Sequence, residues 1–399
     1  MRCGLVGCGV VGSGVVRLWR EAGYAPDAVL STVVVRDTRK PRDVDLTWLR
    51  LSDDPGSLLE DPELTLVIEA TGDTTFGRQL AAECLSRGKA FVTAGKDLVA
   101  RHGLELEELA RARSVPMRFE AAVGGALPVV ALLRLGLSPG VVGGFEGVLN
   151  GTCNFILSRL HEGLAFEEAL EGARRAGFAE PDSRRDTSGR DTADKLTILA
   201  RLCGVALPPD GFGVQGIAGL TPEDAAFGRG RSWSLKLLGS FRRQAGHISA
   251  RVAPAFVAQH SFLGQARDEE NAVLLDAGPA GTLGLVGRGA GSLPTASAIL
   301  ADVREIASGR AASPPPPPPA ARNVEDDPTP AQHYLRVDTE DGFAALRSSL
   351  LGAGIALDTV VRAPGGHVQL LTTSVSGAQL REALAGQAER GVVQVAVRP

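Results

Sequence analysis

The stretch "AEPDSRRDTSGRDTADKLTILARLCG", residues 179–204, sets Glu180, Asp182, Asp186 and Asp191 ahead of a single lysine, Lys195, at the mouth of an apolar helix. Carboxylates can grip a substrate ammonium, and an amine beside a reacting oxygen can stabilise negative charge and deliver a proton. Two readings of the spacing stay open. Asp191 and Lys195 are four apart, the favourable order for an exposed helical pair worth only ~0.3–0.5 kcal/mol. Ser188-Gly189-Arg190-Asp191 also reads as a capping box that opens the helix. Against that purely structural account, Lys195 adjoins the apolar face Leu196, Leu199 and Leu202. An ammonium that loses hydration gives up its proton more readily. Upstream, Gly177 follows a helical pattern over 166–176 and falls where a left-handed helix stop belongs.

A second pattern stands at the start of the chain. "GLVGCGVVGSGVVRLW" follows a strand-sized run and opens a helix, and Gly7, Gly9 and Gly12 fit G-x-G-x-x-G. Such glycines allow a tight turn and let the backbone approach a pyrophosphate, which rests on the helix N-terminus, here Val10 and Val11. The second strand ends in "VVVRDTRKPR". Arg36, with Arg39 and Lys40 behind it, favours the 2′-phosphate of NADP, and Asp37 leaves NAD open. A solvated charged loop accounts equally well for Arg39 and Lys40.

These residues need a scaffold. The chain has 399 residues, 44% hydrophobic and 22% charged, which suits two or three domains. A net charge of −4 with scattered basic residues gives no reason to expect nucleic acid as a partner. Five cysteines without metal-ligand spacing suit a reducing cytoplasm, and no apolar run approaches the ~20 residues that span a bilayer. The first third alternates β-branched runs (3–6, 30–35, 66–70, 90–93, 116–120) with helical stretches (12–21, 75–87, 103–113), the pattern of an α/β doubly wound parallel sheet. After about residue 130 the texture turns α+β. A strand over 143–149 leads into "NGTCNFILSRL", and strands fill 241–285 with turns at "QAGH" and "DEEN". "PTASAILADVREIASGR", 294–310, is a helix with Pro294 in its first turn and Gly309 as its stop. Residues 311–331 have the composition of a linker. Its six prolines, Pro314–Pro319, form a rod of ~19 Å at ~3.1 Å per residue, either a spacer or a docking site for a proline-binding module. Residues 332–399 have room for a βαββαβ domain.

Read together, "GCGVVGSGVV", "EATGD", "TAGKDLVA", "FEAAVGGALP", "GVLNGTCNFIL", "GFAEPDSRRDTSGRDTADKL" and "GRGAGSLPTASA" resemble homoserine dehydrogenases, in order over residues 3 to about 300. The resemblance implies an NAD(P)-binding Rossmann domain over 1–130 completed by the helix 294–310, and a substrate-binding and dimerisation domain over 131–293. It implies reversible reduction of L-aspartate 4-semialdehyde to L-homoserine in a cytoplasmic homo-oligomer, a dimer or tetramer, with no nucleic-acid or membrane partner. Carried over by position, Lys195 is the proton donor and acceptor, Lys96 a second active-site lysine, and Glu180 and Asp191 bind the substrate. Thr71, Gly72, Gly177 and Gly291 join the cofactor set. Carbonyls of Glu120, Val123, Gly125 and Leu127 would hold a monovalent cation, Na+ or K+. Gly95 stands where the family commonly has Asn, and Cys153 where Thr is commoner. The C-terminal 332–399 resembles an ACT domain, which implies a possible amino-acid effector, although Asp341-Gly342 lacks the usual proline and Thr373-Ser374 replaces "TH". A non-catalytic amino-acid sensor built on the same body is the competing reading. An acylating semialdehyde dehydrogenase would need Cys153 as its nucleophile.

Overall fold

Buried β-branched strands linked by glycine turns and amphipathic helices dictate the first architecture. The computed structural model describes residues 1–22, 25–137, 141–208, 210–244, 246–321, 323–325, 327–363, 366–385 and 392–398. The chain begins with β1 (Arg2–Val6), α1 (Val10–Ala22), β2 (Val29–Val34) and β3 (Arg50–Ser52). Next come α2 (Gly56–Leu59), β4 (Leu64–Glu69), α3 (Thr74–Ser86), β5 (Ala90–Thr93), α4 (Lys96–Ala112), β6 (Met117–Arg118) and α5 (Val129–Ala131). Six strands form a parallel sheet in the order β3-β2-β1-β4-β5-β6, doubly wound about β1. Leu5, Leu30, Leu66, Ile68 and Val92 are fully or nearly fully buried in its core.

The chain continues through β7 (Gly144–Val148), α6 (Gly151–Glu162), α7 (Phe166–Arg175), α8 (Arg184–Thr187) and α9 (Arg190–Leu202). Then follow β8 (Gly213–Val214), α10 (Pro222–Arg229), β9 (Trp233–Gln244), β10 (His247–Ala258), β11 (Glu270–Asp276), β12 (Thr282–Arg288) and α11 (Ser292–Ala307). The last elements are β13 (His333–Val337), α12 (Glu340–Gly352), β14 (Leu357–Arg362), β15 (Val368–Thr372), α13 (Gly377–Leu384) and β16 (Val393–Arg398). Their strands form one ten-stranded mixed sheet, β12-β11-β7-β9-β10-β16-β13-β15-β14, with β8 on β10.

Two compact units result. One holds residues 1–142, 194–209 and 285–321, and the other 143–193, 210–284 and 322–399. In the first, α11 returns to α1: Ser292 Oγ donates to the Val10 carbonyl at 2.6 Å, and a Cβ on Gly14 would lie 2.6 Å from that oxygen. In the second, β13-α12-β14-β15-α13-β16 has the expected βαββαβ order, and β16 runs parallel to β10 with Ala396 opposite Ala255.

Several local expectations shift. The helix expected over 103–113 starts at Lys96, because Gly103 is interior: a Cβ there would sit 2.3 Å from the Arg201 guanidinium. The glycine makes room for that side chain and does not start the helix. The expected capping box is also absent. Ser188 has helical φ/ψ of −78°/−9° at the end of α8 and donates to the Arg185 carbonyl, while Gly189 (φ +83°) precedes α9. A box needs an extended cap residue, which Ser188 is not. The strand expected to open at 241 begins earlier, at Trp233. Residue 245 of the "QAGH" turn and residues 386–389 of the second C-terminal helix expectation lie outside the described residues. The proline run is tethered to the first unit, with the Ala206 amide donating to the Pro319 carbonyl at 3.1 Å and the Ala321 amide to the Ala206 carbonyl at 2.9 Å.

Candidate active site

The glycines of the first loop carry three different geometric loads. Gly7 has φ +91°, and a Cβ there would come within 2.6 Å of the Ala70 carbonyl. A Cβ on Gly12 would lie 2.1 Å from the Gly7 carbonyl, so only glycine lets α1 start this close to the turn. Gly9 faces nothing within 4 Å, the open side a pyrophosphate needs. α1 begins at Val10, with Val11 beside it, and has no acid in its first turn, so its amides meet no built-in anion. These features fit a dinucleotide.

Around that loop the strand ends converge. Glu69, buried at the end of β4, accepts from the Thr71 amide at 2.6 Å, the Thr71 hydroxyl at 2.5 Å and the Thr93 hydroxyl at 2.6 Å. It ties the exits of β4 and β5 together. Gly72 (φ +74°), Gly95 and Lys96 line one cleft with Glu69. Gly95 caps α4 and donates to the Thr93 hydroxyl at 2.8 Å, which leaves Lys96 as the first helical residue. Gly291 (φ +118°) is the cap of α11, next to the Ser292 that binds Val10. Arg36 is exposed just beyond β2, while the Asp37 carboxylate turns back to accept the Arg39 amide at 2.8 Å.

In the second unit, Asn150 gathers the acids. Its Oδ1 accepts the Cys153 amide at 2.7 Å and so caps α6. Its Nδ2 donates to Asp186 Oδ1 at 2.8 Å and to Asp191 Oδ2 at 2.7 Å. Cys153 is buried with its thiol on the Asp186 carbonyl at 3.2 Å, a packing position. Gly177 has φ +77° and closes α7, as its place after the helix implies. Glu180 is exposed and makes no hydrogen bond to the other acids among the described residues. α9 passes from the second unit into the first after residue 193, so Asp191 lies in the second and Lys195, one turn on, in the first; they are 2% and 9% exposed. That burial removes the reading of an exposed surface pair.

The "FEAAVGGALP" loop lies wholly in the first unit. Gly124 and Gly125 have φ +77° and +59°, and a Cβ on Gly125 would come within 2.6 Å of the Gly289 backbone. The Glu120 and Leu127 carbonyls each accept one amide, from Val123 at 3.4 Å and Val129 at 2.8 Å. Each keeps a second lone pair. The Glu120 carboxyl is buried and accepts the Val130 and Ala131 amides at 3.1 and 2.6 Å. Burial, then the charge of Asp302, pushes its pKa up to about 8. Among the described residues no cluster of three or more His, Cys, Asp or Glu could hold a metal ion. Among the described residues no helix is long and apolar enough to cross a membrane.

Sequence reasoning did not single out Asn150, nor the buried charged set of Asp302, Arg134, Glu305 and the Glu120 carboxyl, since it marked Glu120 only for its carbonyl. Asn followed by Gly-Thr at the start of an apolar helix is a cap signal that could have marked Asn150. Nothing local marks Asp302, which sits mid-helix and accepts the Glu120 amide at 2.7 Å across 182 positions.

Comparison with known proteins agrees with this geometry. Residues 7–120 match the family model of the homoserine dehydrogenase NAD-binding domain, and residues 128–303 that of homoserine dehydrogenase. The homoserine dehydrogenase of Bacillus subtilis is 32% identical over 353 residues, covering 86% of this chain and 81% of its own. That of Corynebacterium glutamicum is 34% identical over 342 residues, covering 82% and 77%. A solved homoserine dehydrogenase from Thiobacillus denitrificans superposes with a TM-score of 0.89 at 30% identity, over 100% of this chain and 98% of that one. The chain, with its NAD-binding sheet and its acid-and-lysine helix α9, belongs to the homoserine dehydrogenase family.

Proposed function

We propose that the chain reversibly reduces L-aspartate 4-semialdehyde to L-homoserine with Lys195 as the proton donor and acceptor. The observation that carries the assignment is the burial of Lys195 one turn after Asp191, whose carboxylate is held by Asn150. Bound nicotinamide supplies the hydride for the aldehyde carbon. As that carbon is reduced, its oxygen gains negative charge, which the Lys195 ammonium stabilises and then protonates. In the reverse direction the neutral amine takes the hydroxyl proton. Asp191 and Glu180 bind the substrate ammonium and hydroxyl side, and Lys96, at the start of α4, is the second active-site lysine. Asn150 is a positioning residue for Asp191.

The cofactor reading extends the same proposal. Gly7, Gly9, Val10, Val11 and Gly12 cradle the pyrophosphate, with Thr71, Gly72, Gly177 and Gly291 around the dinucleotide. Arg36 favours NADP, since its neighbour Asp37 spends its carboxylate on its own turn. One homologue of the same fold, a hyperthermophilic archaeal homoserine dehydrogenase, is described in complex with NADPH. Carbonyls of Glu120, Val123, Gly125 and Leu127 hold a monovalent cation, supported by the paired left-handed glycines that curl this loop. The βαββαβ segment is an ACT-like module open to an amino-acid effector, and the enzyme works as a homo-oligomer.

The test is Lys195→Ala, followed by nicotinamide absorbance with homoserine and NADP or NAD. Turnover should nearly vanish while NADPH binding, read by its fluorescence, persists. Near-normal turnover would remove Lys195 from the chemistry, and a wild-type chain inactive with both cofactors would favour the sensor reading.

A further inference from the structure

The loop from β2 to β3 is tied by a residue that the cofactor need not touch. Arg42, half-buried, spreads its guanidinium over two carbonyls of one turn: Nη1 donates to Lys40 at 2.7 Å and Nη2 to Asp37 at 2.8 Å. A planar fork meets two acceptors at once, which a lysine ammonium does not. The Asp37 carboxylate is drawn into the same turn by the Arg39 amide, at 2.8 Å. Further on, the loop is pinned to α1, the helix that starts at the glycine loop. Arg17 donates to the Asp43 carbonyl at 3.1 Å, and Arg20 pairs with the Asp45 carboxylate.

That tying decides which charges the turn presents. Arg36, Arg39 and Lys40 are exposed, and their side chains make no hydrogen bond or ion pair to any described residue. Arg42 itself is engaged, and the one carboxylate among these residues is folded back onto a backbone amide. The turn therefore shows three cations just past the end of β2, where a dinucleotide-binding sheet reads the adenosine ribose. The 2′-phosphate of NADP carries close to two negative charges near neutral pH and gains Coulomb energy there. The 2′-hydroxyl of NAD gains none and finds its usual carboxylate acceptor withheld.

We propose that Arg42 is a positioning residue that sets the choice of NADP over NAD. By clamping the carbonyls of Asp37 and Lys40 it keeps Arg36, Arg39 and Lys40 turned out towards the phosphate and keeps the Asp37 carboxylate back from the ribose. Loss of the clamp frees both, so NADP binding weakens while NAD binding holds or improves. This inference rests on the nicotinamide-cofactor reading of the glycine loop, and not on the role of Lys195.

The experiment titrates NADPH and NADH separately against the full chain, reading nicotinamide fluorescence. Arg42→Met should weaken NADPH about five- to thirtyfold, the effect of two hydrogen bonds lost at a partly solvated site, and leave NADH as tight or tighter. Arg42→Lys, able to meet one carbonyl, should fall between. Arg36→Ala should weaken NADPH as well, and adding Arg42→Met to it should cost less than Arg42→Met alone, because the two act through one turn. An unchanged NADPH-to-NADH affinity ratio in Arg42→Met would overturn the proposal, and so would an equal loss for both nucleotides, the mark of a merely structural tie. A wild-type chain that prefers NADH overturns it too, whereas one that binds neither nucleotide sinks the cofactor reading itself. Should Arg42→Met fail to fold, the same ratio in Arg42→Lys decides.

Discussion

Asn150 performs two separable tasks, and one substitution pulls them apart. Its Oδ1 caps α6, while its Nδ2 bridges Asp186 and Asp191. Asn150→Ser keeps an oxygen able to cap the helix and removes both donated hydrogen bonds. A hydrogen bond to a charged group contributes about 1.5–3 kcal/mol. Asp191, 2% exposed, cannot be rehydrated when this donor leaves, whereas half-buried Asp186 can. One bond thus counts nearly in full and the other little, for a loss of about 2–4 kcal/mol. Asn150→Asp also keeps a capping oxygen but faces two carboxylates with a third, so its loss should be at least as large. Urea unfolding gives the stability, and the initial rate of homoserine oxidation shows whether Asp191 stays oriented. A drop in kcat/KM should accompany the stability loss in the serine variant. A serine variant within ~0.5 kcal/mol of wild type and equally active would refute the bridge.

Two further outcomes follow from the first unit. Glu120 and Asp302 are raised by burial to about 8 and about 7, above the ~4 of unfolded carboxyls, so the folded state holds protons that the unfolded state releases. Their contribution is full below about pH 4 and is lost as pH rises through about 7 to 8, so urea midpoints should be higher at pH 5.5 than at pH 8.5 and Glu120→Gln should flatten that slope; a variant as steep as wild type would refute it. Gly12→Ala places a Cβ 2.1 Å from the Gly7 carbonyl, so NADPH affinity by fluorescence titration should fall at least about tenfold; unchanged affinity would show that the loop yields freely.

The parallel sheet was legible because five of its six strands are short buried runs, whereas the edge strand β3 (Arg50–Ser52), half-buried to exposed, carries no such signal and was not expected. Gly7 and Gly12 announced themselves by spacing alone, and the structure supplies the clashes that explain it. Lys195 was legible as a residue, but its burial was not, since a lysine beside Leu196 and Leu199 could have lain on either side of the helix. The start of α4 was misread because Gly103 looks like a boundary, and only a side chain 98 positions away, Arg201, gives that glycine its purpose. Ser188 was misread because the box pattern takes no account of a preceding helical turn, α8, that claims the residue first. The Glu120–Asp302 contact was illegible in principle. It depends on which elements meet across 182 positions, and a local pattern carries no record of that.

The C-terminal βαββαβ segment is not a bead on a proline string. Its strand β16 hydrogen-bonds directly to β10, so the sheet runs unbroken from the middle segment into residues 333–398. Side chains lock the junction: the Tyr334 hydroxyl donates to Asp224, and Arg336 reaches the Gly219 carbonyl at 2.8 Å and Asp224 at 3.3 Å. Asp224 is fully buried and needs those partners, because burial raises its pKa while Tyr334 and Arg336 act against that rise. Phe227, Phe256 and Tyr334 stack beside it with centroids 4.7 and 5.6 Å from the tyrosine. A change at β13 or β16 therefore meets α10 and β10 through packed side chains and shared backbone hydrogen bonds. Close-packed contacts transmit strain where a flexible tether would dissipate it.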